Sequence, residues 1–333
     1  MGTTKNAKRV IRIILYAVAF FCGLVILGFI LAPKYRSSLK EGSLIDDYYR
    51  EPKEHTVLFL GDCEVYQNIN PIVIWDRCGV ASVVRGTPNQ TMPMSYYVLL
   101  ETLEYEKPKV VVLSILSLTY DRYIKEEYNR LTFDRMKNSG LKYRAISSCT
   151  EDNILSYMFP VIRYHDRFDK LKKEDFDLTA SSVSYMGFLP RTEIKAYEGF
   201  PVAPKLPDYS FDETNVSYLD KIVSVCKDNN IRLVLCKAPT LYPYWYDEWD
   251  RQVVEYASKN GLEYINYLEC ADEMGLDYST DTYDGGYHLN VSGAYKWSTY
   301  LCDMFSKESA TYSDECVEYY KNMCKEYHEK YED

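Results

Sequence analysis

Hydrophobic positions along this chain follow two regimes. The first is one unbroken run at residues 13–32, IILYAVAFFCGLVILGFILA, with no charged side chain. As a helix rising about 1.5 Å per residue, it matches a hydrocarbon core of about 30 Å. Lys5, Lys8, Arg9 and Arg12 precede it and favour a cytoplasmic N-terminus, although Lys34, Arg36 and Lys40 beyond it weaken the bias. A cleaved signal peptide is the competing reading. The length of the run and the lack of an A-x-A site before Pro33 oppose it.

The second regime is an alternation. Strand-like runs recur at 56–60, 80–84, 110–116, 231–236 and 263–267, several of them continuous and β-branched. Strands buried on both faces of a parallel sheet have this pattern. Helix-periodic stretches lie near 94–105, 218–228, 247–259 and 292–305. KDNNIRLVL and SKNGLEYINY each read as a helix end, a turn and a strand start. The alternation predicts an α/β fold with a three-layer, doubly wound, mostly parallel sheet.

The chain divides into a cytoplasmic segment at 1–12, an anchor at 13–32, a polar stalk at 33–53, an α/β domain at 54–308 and a polar helix at 309–333 that packs weakly. Residues 128–210 break the rhythm with DRFDKLKKEDFD and a Pro/Gly/aromatic-rich stretch, which reads as an insertion forming a lid over one face.

Composition narrows the partners. With 49 Asp+Glu against 39 Lys+Arg and no basic, aromatic-interleaved patch, nucleic acid is not expected. Ten cysteines in an exported chain would suggest disulfides, but Cys22 lies in the apolar run and nine remain, without paired spacing. Most sit in apolar runs, as Cys236 and Cys302 do, and read as buried free thiols. Cys316 and Cys324 are the one pair worth watching. Four histidines and no C-x-x-C make a zinc site improbable, so no metal or cofactor is expected.

Three islands carry candidate chemistry: Gly61-Asp62-Cys63 after a strand, VVRGTPNQ at 83–90 after another, and DTYDGGYHLNVSGA at 281–294 before a helix. All three fall on the carboxyl edge of the expected sheet, where open α/β folds bind ligands. In that order they resemble the SGNH/GDSL hydrolases, and most of all their membrane-anchored bacterial members that act on cell-envelope polymers, such as alginate O-acetylation and teichoic-acid D-alanine transfer proteins.

The resemblance covers about residues 55–305. It implies Cys63 as nucleophile, His288 as general base and Asp284 as its orienter. The backbone N–H groups of Cys63 and Gly86, with the Asn89 or Gln90 side chain, would form the oxyanion hole. Three departures stand out. The family's serine is a cysteine here. Three residues, not two, separate Asp284 from His288, which Gly285 and Gly286 could absorb by looping out, with Asp281 as a substitute orienter. The asparagine that often follows the third strand is absent from VVVLSILS.

A cysteine at a helix N-terminus beside a histidine is expected to have a lowered pKa, while Asp62 and Glu64 on either side oppose that. Cys63 therefore reads as a reactive nucleophile, an inert relic or a packed small hydrophobe. Further candidates for substrate contact are Asp62, Lys237 at a strand end, Tyr242 and Trp245 in LYPYWYDEW, and Arg191 in the insertion. Each has a plain structural alternative: a strand-end ion pair for Lys237, helix-entry packing for the aromatics and a solvated loop residue for Arg191.

The expected function is ester hydrolysis or acyl transfer on acylated cell-wall or surface polysaccharide, outside the cell membrane. A single-pass helix would tether the protein, and a membrane acyltransferase is a conceivable partner. The rivals are a catalytically inactive protein that binds or helps assemble the polymer, and a thiol redox role for Cys63.

Overall fold

A computed structural model describes residues 2–177, 182–199, 202–308 and 310–331. Parts of the expected insertion (178–181 and 200–201) and of the tail (309 and 332–333) lie outside the described residues.

Five parallel strands form one sheet in the order β2-β1-β3-β4-β5. They are β1 (Val57–Gly61), β2 (Ser82–Gly86), β3 (Val110–Ser114), β4 (Arg232–Lys237) and β5 (Glu263–Asn266). The central strands are buried on both faces, and their side chains divide with the period of two that a pleat imposes. Leu58, Leu60, Val83, Val111, Leu113, Leu233 and Leu235 enter one core. Val57, Phe59, Val84, Val110, Val112, Val234 and Cys236 enter the other.

The helices, in chain order, are α1 (Gly2–Leu31), α2 (Leu44–Tyr48), α3 (Cys63–Tyr66), α4 (Pro71–Cys78), α5 (Met92–Tyr105), α6 (Glu126–Phe133), α7 (Gly140–Cys149), α8 (Ile154–Met158), α9 (Pro160–Tyr164), α10 (Glu213–Asp228), α11 (Asp247–Asn260), α12 (Val291–Phe305) and α13 (Asp314–Tyr331). Helices α5, α10 and α11 cover the first core, while α12 lies beside α4 over the second. This is the three-layer α/β/α arrangement the alternation predicts. The strand order reverses between β1 and β3, so the ligand crevice of such a sheet lies beyond their carboxyl ends.

Helix α1 takes in nearly all of the charge-free run, and its stretch from residue 6 to 31 is long and apolar enough to cross a membrane. The segment after α1 is not a free stalk. Ile45 and Tyr48 of α2 enter the first core, and the buried Asp47 accepts hydrogen bonds from the backbone N–H groups of Val183 and Ser184 and from the Ser184 hydroxyl.

The C-terminal helix also packs more firmly than its polarity suggests. Cys316, Tyr320, Cys324 and Tyr327 line its buried face. The Tyr320 ring stacks on Trp75 with centroids 4.5 Å apart, and its hydroxyl receives from Ser82 N–H at 2.9 Å while donating to Ser82 O at 2.7 Å. Cys316 and Cys324 are both free thiols; eight residues along one helix set them about 12 Å apart, too far for a disulfide.

Residues of the insertion divide between two tasks. Helices α6 and α7 add Phe133, Leu141, Ala145 and Ile146 to the first core. Beyond them, Met186 O accepts from Val84 N–H at 2.9 Å, so this segment covers the exposed edge of β2.

Candidate active site

β1 ends at Gly61, and the chain turns at once into the four-residue helix α3, with Cys63 as its first residue. A side chain at Gly61 or Gly86 would collide: an ideal Cβ would lie 2.8 Å from Ser114 Cβ in the first case and 2.8 Å from Val65 Cγ2 in the second. Both glycines are therefore required by close approach at the turn. Asp62 caps α3, its Oδ1 accepting from Glu64 N–H at 3.0 Å, while the Tyr120 hydroxyl donates to its Oδ2. With both oxygens engaged and the residue buried, Asp62 holds the turn and is not free to contact a substrate as expected.

Lys237 is likewise not a substrate contact. Its ammonium is fully buried and pairs with the equally buried Glu64, the residue after Cys63. Ser114 Oγ and Thr240 Oγ1 each donate to the Glu64 carboxylate at 2.9 Å, and Lys237 also donates to Ala238 O at 2.8 Å and to Thr240 Oγ1 at 2.9 Å. The cluster ties the residue after Cys63 to β3 and to the end of β4.

His288 and Asp284 lie in a loop before α12. His288 Nδ1 is 2.7 Å from Asp284 Oδ2, and the His288 N–H donates to Asp284 Oδ1 at 2.8 Å. The extra residue between them is accommodated by Gly285 and Gly286, whose φ values of 82° and 100° lie in the left-handed region that glycine enters without penalty. Thr282 Oγ1 donates to His288 O at 2.7 Å and accepts from Gly286 N–H at 2.8 Å, closing the loop. The Tyr283 ring lies nearly parallel to the imidazole, with centroids 5.9 Å apart.

Asp281, the substitute orienter, points elsewhere. It is buried, pairs with Lys296 at 2.6 Å and accepts from Ser292 Oγ at 2.7 Å and Asp277 N–H at 2.8 Å.

Two contacts lace this loop to the Cys63 segment, one turn past the cysteine. Asn68 Oδ1 accepts from Leu289 N–H at 2.7 Å, and the Tyr283 hydroxyl donates to Gln67 Oε1. Cys63, more than two hundred positions away in sequence, feels the Asp284 carboxylate. No hydrogen bond joins its Sγ to His288 among the described residues.

Burial, then Asp62, Glu64 and Asp284, push the Cys63 thiol well above its ordinary value. This reverses the expected lowering. Helix α3 is a single turn, too short to present much of a dipole, and the negative neighbours prevail. Burial and Glu64 in turn raise Asp62 to about 6, against the opposing hydrogen bonds from Tyr120 and Glu64 N–H and the nearby His288.

Of the expected oxyanion donors, Gln90 is fully committed. Its amide donates to Arg85 O at 3.3 Å and Ser95 Oγ at 3.1 Å, and its oxygen accepts from Thr87 Oγ1. Asn89 is half-buried with φ 51° and lines a cavity of about 390 Å³ shared with Tyr120, Asp121, Tyr123 and Lys125. Gly86 ends β2 opposite Gly61.

Tyr242 packs against Tyr287, His288's neighbour, with centroids 4.3 Å apart. Trp245 instead packs on Trp249 and donates to Asp250 Oδ1 at 3.0 Å, which is the helix-entry alternative. Arg191 pairs with Glu41 at 2.9 Å and lies over the Tyr283 ring. Its stretch of the insertion runs along the His288 loop: Lys195 N–H donates to Thr282 O at 3.0 Å and Gly285 N–H to Lys195 O at 3.1 Å.

Sequence reasoning missed Glu64 as a partner of Lys237, the tethers Gln67 and Asn68, Tyr120 on Asp62, and Tyr283 beside His288. One signal was available. In CEVYQN the polar positions 64, 67 and 68 recur at helical spacing directly after the cysteine, where a buried turn leaves no solvent for them.

No protein-family model matches the chain, and no curated protein matches it. Among solved structures, it is similar to a protein assigned as an acylhydrolase from Bacteroides fragilis, at 12% identity and TM-score 0.39, over 79% of this chain and 94% of that one. It is also similar to a GDSL-like lipase from Bacteroides thetaiotaomicron, at 14% identity and TM-score 0.34, over 80% of this chain and 100% of that one. Both likenesses are shallow.

Proposed function

We propose that this protein is a membrane-tethered, extracytoplasmic esterase or acyltransferase that acts on acyl groups of cell-envelope polysaccharide through Cys63, His288 and Asp284. The observation that carries the reading is the 2.7 Å contact between His288 Nδ1 and Asp284 Oδ2, in a loop laced to the Cys63 turn. A carboxylate at Nδ1 fixes the tautomer in which Nε2 accepts a proton.

Because the thiol is held protonated, it works as a serine hydroxyl does. Nε2 takes the proton as Sγ attacks the acyl carbon, and the imidazolium then protonates the departing sugar oxygen. A thioester remains on Cys63. Attack by water on that thioester gives hydrolysis, and attack by another hydroxyl gives transfer. Donors at the Cys63 and Gly86 backbone and at Asn89 support the oxyanion.

The cavity beside Asn89 and the Tyr242–Tyr287 pair offer polar and aromatic surface suited to a sugar chain. A partner membrane acyltransferase could supply the acyl donor in the transfer case.

Two observations favour a second reading. The raised thiol pKa and the missing Sγ–imidazole hydrogen bond fit a protein that binds the polymer without turning it over. A redox role fits less well, since redox-sensing thiols are of low pKa.

The test is release of acetate from an aryl acetate and from acetylated glycan by the full chain in detergent micelles. Turnover that Cys63→Ala and His288→Ala abolish supports the enzyme. Absent turnover, together with glycan binding that Cys63→Ala leaves intact, supports the binding protein instead.

A further inference from the structure

Helix α9 sits against the membrane-type helix itself, and α8 packs on α9. Phe159, between them, meets Phe21 edge-on with ring centroids 6.1 Å apart. A Cβ built at Gly28 would lie 3.4 Å from Pro160 Cδ, an ordinary contact distance, so α9 abuts α1 at this position. Val161, Tyr164 and Leu171 pack with Leu27, Leu31 and Ala32, and the Arg167 guanidinium donates to Leu31 O, one of the open carbonyls ending α1.

These contacts fix a depth. Gly28 lies four residues before Ala32, the end of the charge-free run, which is about 6 Å along the helix axis; Phe21 is about 16 Å below it. If the charge-free run fills the hydrocarbon, Pro160 meets α1 within the depth of about 5–10 Å at which interfacial helices lie, while the Phe159 ring reaches deeper toward Phe21.

The outer surface of the same segment exposes four large apolar side chains. Leu155 is 49% exposed, Ile162 48%, and Phe168 and Phe176 each 59%. Charged groups are interspersed with them, including the exposed carboxylates of Asp166 and Asp169. Arg163 bonds Glu126, Arg167 bonds Asp175, and Lys170, Lys172 and Lys173 are exposed on chains long enough to reach the headgroups.

We infer that residues 154–176 form a second membrane contact, seated in the headgroup–acyl boundary of the bilayer that α1 crosses, with Leu155, Ile162, Phe168 and Phe176 facing lipid. The occupant of this surface is the bilayer, because the surface continues from the flank of α1. The inference rests on α1 crossing a membrane. Its consequence is a domain that cannot swing freely on its anchor. Glu41, the partner of Arg191, lies only nine positions beyond Ala32 and so within roughly 30 Å of the helix end, which ties the insertion beside the His288 loop to the membrane side.

The test places a tryptophan at one position at a time in the full chain, reconstituted in phospholipid nanodiscs whose acyl chains carry bromine. The positions are Ile162→Trp and Phe168→Trp, with Phe20→Trp as the anchor control and Val254→Trp, on exposed α11, as the distant one. Near-ultraviolet circular dichroism reports folding of each variant. The added emission at 162 and 168 should be mostly lost to brominated lipid, as at 20, while that at 254 is unaffected. Quenching at 20 alone, with 162 and 168 quenched only by aqueous acrylamide, overturns the second contact and leaves the anchor standing. No quenching at 20 overturns the anchor and the contact with it.

Discussion

Replacing Lys237 by alanine removes the cation that faces the buried Glu64. Both side chains are withdrawn from water, at 0% and 2% exposure, so no solvent can take over the role of the ammonium. Glu64 keeps the hydroxyl donors of Ser114 and Thr240 and loses its counter-charge. Removing one partner of such a pair costs about 3–5 kcal/mol, most of it the penalty of an uncompensated buried charge. With an unfolding entropy of about 2.1 cal/mol/K per residue over roughly 300 residues, the midpoint should fall by roughly 5–8 °C.

Thermal unfolding of the full chain in micelles, followed by circular dichroism, measures that shift. The double variant Lys237→Met with Glu64→Gln, which removes both charges, should recover most of it, because the loss belongs to the pair. The single variant should also lose activity beyond its loss of stability, since Glu64 immediately follows Cys63. A shift in Lys237→Ala of under about 1 kcal/mol, or a double variant as unstable as the two singles summed, would refute the reasoning.

Four further outcomes are expected. Asp284→Asn should keep the fold and cut turnover on the order of 10³–10⁴-fold, because Nδ1 loses the carboxylate that sets its tautomer; a change under tenfold would remove Asp284 from the site. Iodoacetamide should label Cys63 slowly at neutral pH and faster only above the ordinary thiol range, as its raised pKa requires; fast labelling at neutral pH contradicts this. Gly286→Ala forces a residue at φ 100° whose Cβ would lie 3.1 Å from Leu241 Cδ1, and it should cost about 1–2 kcal/mol and lower turnover further by displacing His288. Burial raises Glu51 from 4.5 to about 7, so between these values the unfolded carboxyl releases its proton while the folded one keeps it. Stability should therefore fall as pH rises through that window, and Glu51→Gln should flatten the profile in urea titrations.

The first four strands were legible because each is a short, largely apolar run buried on both faces, and the edge strand β5 because a helix end and turn precede it. The run at 56–60 becomes β1 at Val57–Gly61, and that at 263–267 becomes β5 at Glu263–Asn266. Helix α13 packs more firmly than its composition suggests because its buried face is made of tyrosines and cysteines among charges, while α2 buries Leu44, Ile45 and Tyr48 from a segment too short to show a period. Cys316, Tyr320, Cys324 and Tyr327 keep helical spacing, yet read as polar by composition.

The site was legible as far as local spacing reaches. Cys63 at a strand end and Asp284 near His288 are sequence-local features. The Glu64–Lys237 pair spans 173 positions and the Tyr120–Asp62 bond spans 58, and neither leaves a local trace. The thiol's charge state was misread because the one-turn length of α3 and the burial of its flanking acids emerge only on folding.

The central claim is that Cys63 carries the acyl group. Intact-protein mass spectrometry after brief exposure to an aryl acetate, followed by peptide mapping, examines this directly. The predicted result is a single acetyl increment on the peptide holding Cys63, formed in the native chain and lost in His288→Ala. Acetate release without any adduct at Cys63, or an unmodified protein whose polymer binding survives Cys63→Ala, would contradict it.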